Sequence, residues 1–269
     1  MRKQIWKIGI LSALTVFLLS GCARDDSAAS SAIVQGQSDL AYVQEKGTLT
    51  VGITDFAPMD YRDGEDWTGF DAELAEAFAA YLGVSLEFVE IDWDKKTELL
   101  EKGDIDCIWN GMTMTDELKE TISCSDSYLS NAQVVVLRGG ELGEYPTVES
   151  CQHLLFAVEA GSVGESILKE KKYRYTAFST QKEALQSVSE KKADATVIDV
   201  IMAAYYTDDK QEYSDLGFEI AVSDETICIG FRKDSDLTEK ANAFLKASYE
   251  DDSIRTLAEK YGIGNALLQ

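Results

Sequence analysis

The sequence predicts an α/β protein built from two doubly wound units, and three observations carry that expectation. Short apolar runs alternate with helix signals from Leu49 to Leu118. The alternation breaks at Arg138-Gly139-Gly140 and restarts at Leu154. Several runs end in short polar loops that open onto a helix cap, as after Trp109. Short apolar runs bounded by glycine and turn residues suit strands buried on both faces, and strands alternating with helices build a parallel sheet.

Leu49-Thr50-Val51-Gly52-Ile53 reads as the first strand and ends in the loop Thr54-Asp55-Phe56-Ala57-Pro58-Met59. After a turn at Asp63-Gly64 comes Gly69-Phe70-Asp71, where Asp71 is placed to cap a helix. Leu74, Phe78 and Leu82 recur at every fourth residue of that helix, and Gly83 stops it. Leu86, Phe88, Val89 and Ile91 make the next strand, ending in Asp92-Trp93-Asp94. A helix from Lys95 to Lys102 carries Leu99 and Leu100 and closes at Gly103. Ile105, Cys107, Ile108 and Trp109 form a strand bounded by Asn110-Gly111. Thr115 with Asp116 and Glu117 then reads as an N-cap with acids in the first turn, where unpaired N–H groups and the dipole favour them.

The run 132–137 leads to the second unit, where Leu154 to Val158 is a strand. Ser162 and Glu165 have capping-box spacing, and Thr180 and Glu183 repeat it before a helix with Ala184, Leu185 and Val188. Ala195 to Ile198 is a strand ending at Asp199. The run Ile227 to Phe231 returns the chain to the first unit. Two helices follow, one with Leu237, Ala241, Phe244 and Leu245, the other with Ile254, Leu257, Ala258 and Tyr261 before Gly262.

Arg2, Lys3 and Lys7, an apolar run from Ile8 to Leu19, and Leu19-Ser20-Gly21-Cys22 follow the order of a secretory signal, too short for a lasting membrane span. Residues 23–38 are small and polar, as in a flexible tether, so residues 1–38 are set outside the fold. Without Arg2, Lys3 and Lys7 the chain carries 22 basic against 48 acidic residues, a net charge of −26. Such a surface repels nucleic acid and keeps an exported protein soluble. Beyond Cys22, Cys107 and Cys228 lie in strand-like runs that suit buried thiols. No CxxC or Cys/His spacing points to a metal, and sequence leaves any pairing among Cys107, Cys124, Cys151 and Cys228 open.

Loops at the carboxyl ends of parallel strands are where open α/β sheets bind ligands. They offer Phe56 and Trp93 as apolar plates, Asn110, Gly111 and Thr113 as carbonyls and a hydroxyl, Ser162 at a helix start that suits an anion, and Asp199 as a partner for an ammonium. Each alone has a plain structural reading, since aromatics fill cores and Ser162 and Asp199 suit helix caps.

Seven segments carry a resemblance that covers nearly all of residues 45 to 262: GFDAELAEAF at 69–78, IDWD at 91–94, GDIDCIWNGMTMTDE at 103–117, SDSYL at 125–129, EAGSVGES at 159–166, ADATVID at 193–199 and FRKDSDL at 231–237. As a set they resemble the polar amino acid family of extracytoplasmic solute-binding proteins, family 3, the receptors of ABC importers. The resemblance implies a two-lobed, type II periplasmic-binding-protein-like fold, with doubly wound sheets joined by a two-strand hinge. Lobe one would take 39–137 and 225–269, and lobe two 138–224. The signal, 1–21, resembles that of a bacterial lipoprotein, with Cys22 lipidated, 22–38 as tether, and the protein extracytoplasmic and lipid-anchored to the cell membrane.

By position, Phe56 and Trp93 would pack on the ligand, Asn110, Gly111 and Thr113 would offer it carbonyl and hydroxyl groups, and Gly161, Ser162 and Val163 would hold its carboxylate. Asp199 would take the α-ammonium and Glu159 would contact the ligand's side chain. The arginine with which this family grips the carboxylate falls on Leu118. Lys119 points about 100° away on a helix, so it is a doubtful replacement. Glu159, Asp199 and Asp55 make the expected pocket richer in acid than in base, which favours a basic ligand. The implied protein is a monomer without cofactor, metal or catalytic residue that passes a small amino-acid-like solute to an ABC permease. Two rivals stand beside it: an enzyme on this scaffold, since some relatives are dehydratases, and a sensing ectodomain or adaptor. Against the enzyme, the one histidine, His153, lies away from the strand-end loops.

Overall fold

The computed structural model describes residues 38–268, so the expected signal, Cys22 and nearly all of the tether lie outside the described residues. Ser38 belongs to the fold. Its hydroxyl accepts the Ala41 amide at 3.0 Å, capping helix α1 (Asp39–Lys46), and donates to Asp236 at 2.5 Å. From there the chain runs through β1 (Thr48–Ile53), a hairpin of β2 (Tyr61–Asp63) and β3 (Asp66–Thr68), α2 (Phe70–Leu82) and β4 (Ser85–Glu90). A 3-10 turn at Trp93–Lys95 leads into α3 (Lys96–Lys102), then β5 (Cys107–Ile108), α4 (Asp116–Thr121) and β6 (Ser123–Cys124). The second sheet and its helices take β7 (Leu129–Arg138), β8 (Leu155–Glu159), α5 (Val163–Lys171), β9 (Arg174–Phe178), α6 (Gln181–Ser189), β10 (Ala195–Asp199), α7 (Val200–Tyr206) and β11 (Leu216–Ile227). The chain then returns to the first lobe through β12 (Gly230–Phe231), α8 (Leu237–Glu250) and α9 (Ser253–Lys260).

Two five-stranded sheets result, in the orders β4-β1-β5-β12-β6 and β11-β7-β10-β8-β9. In the first, β1 runs parallel to β4 and β5, while β12 is antiparallel to β5 and β6. All of β1 past Thr48 is buried, as a central parallel strand covered on both faces requires. Phe78 packs on Trp109 and Phe244 with ring centroids 5.6 and 5.4 Å apart, locking α2 and α8 together over that sheet. In the second, β8 is parallel to β9 and β10, and β7 is antiparallel to β10 and β11. Val135, Phe156, Val158 and Val197 fill its core.

The long strands β7 and β11 pair from Leu129↔Ile227 to Arg138↔Leu216 and form the two-strand connection between the lobes. The polar break at 138–140 therefore marks the far end of β7, because a turn signal shows where a strand stops and not where it changes sheets.

Several local expectations are corrected. Asp71 is not the cap of α2: Gly69 holds the N-cap position with φ 129°, where a Cβ would lie 2.1 Å from the Met59 carbonyl oxygen. Asp71 instead sits in the first turn and points inward. Ile105 and Trp109 flank a strand of only two residues, and Ile227 belongs to β11. The polar helix α1, the β2–β3 hairpin and the half-exposed strand β9 lacked an apolar run to announce them.

Candidate functional site

A cavity of about 390 Å³ lies between the lobes, and all ten residues expected to touch a ligand line it. From the first lobe come Phe56, Trp93, Asn110, Gly111 and Thr113; from the second, Glu159, Gly161, Ser162, Val163 and Asp199. The geometry separates residues whose polar groups face a ligand from those that hold the walls.

On the first wall, the Phe56 amide donates to the Asp60 carbonyl at 2.7 Å, which folds the loop after β1 back on itself. The Phe56 ring covers Gly111 so closely that a Cβ there would sit 2.0 Å from it, and φ of 56° also favours glycine. The Gly111 amide donates to Asp71 Oδ2 at 2.7 Å, and Asp71 Oδ1 accepts the Tyr128 hydroxyl at 2.8 Å. Asn110 Oδ1 accepts the Thr54 amide, so this side chain ties two strand-end loops together. The Thr113 hydroxyl donates to Glu225 Oε2 at 2.9 Å.

On the second wall, the Ser162 hydroxyl accepts the Glu165 amide at 3.1 Å and donates to the Glu159 carbonyl at 2.8 Å. The Glu165 carboxylate reaches the Gly161 amide at 2.9 Å and not that of Ser162, so the expected capping box closes one residue early. The first amides of α5 have no helical acceptors, which makes this end of the cleft suitable for an anion. Asp199 is held by three side-chain amides: Gln181 at 2.6 Å, Gln133 at 3.2 Å, and Asn131. Burial raises its pKa to about 6, with Glu225 adding to the rise and the amides opposing it. Glu159 is also buried, and burial followed by the Asp199 charge pushes it up to about 8, against Lys96 and Gln181.

Lys96, Gln133 and Gln181 line the cleft although sequence reasoning did not single them out. Lys96 follows Trp93 closely in IDWDKK, and Gln181 follows the Thr180 cap, but neither type is distinctive in sequence. Lys96 Nζ donates to the carbonyls of Trp93 at 3.1 Å and Gly161 at 3.0 Å and lies 4.6 Å from the Trp93 ring centroid. Its burial lowers its pKa to about 8. Leu118 lines the cleft, whereas Lys119 is exposed and paired with Asp116 at 3.1 Å. The walls carry Asp55, Asp94, Glu117, Glu159, Glu165 and Asp199 against Lys96 and Lys169. Lys169 is already paired with Glu165 at 3.0 Å, and Asp55 with Lys182 at 3.4 Å. His153 is exposed, lies outside the cleft and packs beside Tyr145. Among the described residues, no group of three histidine, cysteine or carboxylate side chains is placed to hold a metal.

The family described as bacterial extracellular solute-binding proteins, family 3, matches residues 49–264. The arginine-binding extracellular protein ArtP of Bacillus subtilis (strain 168) is 26% identical over 266 residues, 96% of this chain and 98% of the relative. The ancestral amino acid-binding protein AncCDT-1, a precursor of cyclohexadienyl dehydratase, is 31% identical with TM-score 0.78 over 83% of this chain and 99% of its own. Tv2483 bound to L-arginine is 28% identical with TM-score 0.78, over 86% of this chain and 96% of its own.

Proposed function

Because this chain belongs to the bacterial extracellular solute-binding proteins of family 3, we propose that its cleft captures a small amino-acid-like solute with a cationic side chain for the permease of an ABC importer. The observation that carries this reading is the pair of buried carboxylates, Glu159 and Asp199, on one wall of the cleft. Asp199 receives the α-ammonium, Glu159 the cationic side chain, and the start of α5 the carboxylate. Phe56 and Trp93 enclose the apolar part. A solute touching both lobes binds only their closed arrangement and so favours it, and a permease can read that closure. The arginine named for ArtP and bound to Tv2483 supports the cationic class. The protein acts outside the cytoplasm, in our reading as a monomer held to the membrane through lipidated Cys22, with lobe one at 39–137 and 225–269 and lobe two at 138–224.

Calorimetry with arginine, lysine, glutamine and glutamate tests the charge assignment. Arginine or lysine binds most tightly, and Asp199→Ala weakens it by about 2–5 kcal/mol, the range for removing one member of a desolvated pair. Tight glutamate binding overturns the reading. A second reading, an enzyme on this scaffold, is favoured by the likeness to AncCDT-1 and by Glu159, which burial keeps protonated near neutral pH as a general acid requires. Mass spectrometry of incubated candidate solutes separates the two, since a receptor returns its ligand unchanged.

A further inference from the structure

Four free thiols lie among the described residues, and their surroundings divide them. Cys107 is fully buried in β5, where burial raises its pKa. Cys151 is buried in the other lobe, and its thiol donates to the Thr147 carbonyl at 3.6 Å. Cys124 and Cys228 differ in being neighbours. Cys124 of β6 stands opposite Gly230 of the antiparallel β12, and the Ser125 amide extends that ladder to the Ile229 carbonyl at 2.9 Å. Side chains alternate along extended chain, so Cys228, two residues before Gly230, lies on the same face as Cys124. Cys124 packs against the buried cluster that contains Cys228, and the two thiols influence each other's ionisation.

The two sulfurs are unequal in a way that bears on reactivity. Cys124 is half-buried, and the neighbouring Cys228 thiol, with Lys119 and Lys233, lowers its pKa. Cys228 is fully buried and held as the thiol. A partly exposed sulfur near two lysines, beside a fully buried second thiol, is the arrangement that reacts with disulfides and then resolves internally.

We propose that Cys124 and Cys228 are a redox-active pair that closes into a disulfide, with Cys124 attacking first. The oxidant is a small or protein disulfide, RSSR. The Cys124 thiolate attacks one sulfur of RSSR, forming a mixed disulfide and releasing one thiolate, RS⁻. Cys228 then gives up its proton and attacks the Cys124 sulfur, expelling the second RS⁻. Two protein thiols are oxidised, one disulfide is reduced to two thiols, and the two released protons end on them. The pair backs directly onto the ligand wall, because the Cys228 amide donates to the Met112 carbonyl at 2.9 Å, between Gly111 and Thr113.

The test is to incubate the full chain with oxidised glutathione, quench with N-ethylmaleimide under denaturing conditions, and map the label at each cysteine by peptide mass spectrometry. Cys124 and Cys228 lose their label together, Cys107 and Cys151 keep theirs, and dithiothreitol restores all four. In Cys228→Ser the reaction stops at a glutathione adduct on Cys124; in Cys124→Ser, Cys228 takes no adduct in the same time. Retention of label at Cys124 and Cys228 in the parent chain overturns the pairing, without recourse to the variants. Modification of Cys228 in Cys124→Ser as fast as that of Cys124 in the parent overturns the order of attack.

Discussion

Lys96 Nζ lies 3.0 Å from the Gly161 carbonyl, and that bond crosses the cleft from the start of α3 to the loop before α5. The lobes meet closely beside it, since a Cβ on Gly161 would stand 2.5 Å from Asp94 Cα. The Lys96 ammonium also sits over the Trp93 ring, 4.6 Å from its centroid, so it reaches the far wall with little freedom left to lose. Lys96→Met keeps the stem and deletes the bridge. In solution scattering without added ligand, the variant is expected to show a larger radius of gyration than the parent. An unchanged radius would remove Lys96 from lobe closure.

Binding of a cationic solute should release a proton. With its pKa at about 8, Glu159 is largely protonated at pH 7 in the empty cleft, and a cation beside it favours the carboxylate. Arginine affinity therefore rises as pH increases toward about 8. Asp199, at about 6, must be ionised to hold an ammonium, so affinity falls further as pH drops through 6. Calorimetry at pH 7 in two buffers of different ionisation heat reads the released proton directly. Glu159→Gln should abolish that release, and heats independent of buffer in the parent would exclude the linkage.

Asp71 gives a stability prediction with a defined sign. Its pKa and that of Asp60 are both raised above the ordinary 3.8, chiefly by burial; the Asp71 charge raises Asp60 further, and among the described residues neither oxygen of Asp60 has a hydrogen-bond partner. The folded state therefore holds protons that the unfolded chain has already lost. The stability they contribute is complete below pH 3.8 and is lost as pH rises through the folded pKa values. Urea midpoints of the ligand-free protein should fall from acid toward neutral pH. Asp71→Asn, which keeps an oxygen for the Gly111 amide, should make that fall shallower. A parent midpoint that rises over this range contradicts the assignment.

The same residue shows how far the sequence could be read. Spacing alone places strand-end loops in the right order, and the ten residues drawn from them, from the resemblance or from both converge on one cleft. A cap signal at Asp71 is sound local reasoning, yet tertiary contact with Gly111 and Tyr128 overrides it. Lys96 and Gln181 are common surface types whose roles depend on the opposite wall or on a strand distant in sequence, and no local pattern encodes that. Thr113 and Asn110 were legible as cleft residues, but their partners Glu225 and Thr54 were not, because those pairings form only when separate loops meet.

Leu118 offers the sharpest test of the site. It lines the cleft from α4, whose N-cap Thr115 accepts the Leu118 amide at 3.2 Å and fixes the turn that presents it. No cation from that turn replaces it, since Lys119 is exposed and engaged by Asp116. The nearest cations on the walls are also occupied, Lys96 by two carbonyls and Lys169 by Glu165. A ligand carboxylate is then left with the amides that begin α5. An arginine at this position can add a charge-assisted bond worth roughly 1.5–3 kcal/mol, about one to two orders of magnitude in affinity. Leu118→Arg is therefore expected to tighten binding of α-amino acids and to leave binding of a diamine, which has no carboxylate, without gain. Glu117 and Glu165 also line the cleft and compete for the new guanidinium, which sets the lower end of that range. Calorimetry of parent and variant with arginine and with a diamine of similar length decides the matter. No gain for arginine would show that Leu118 does not face the carboxylate, and an equal gain for the diamine would show that the effect is not carboxylate recognition.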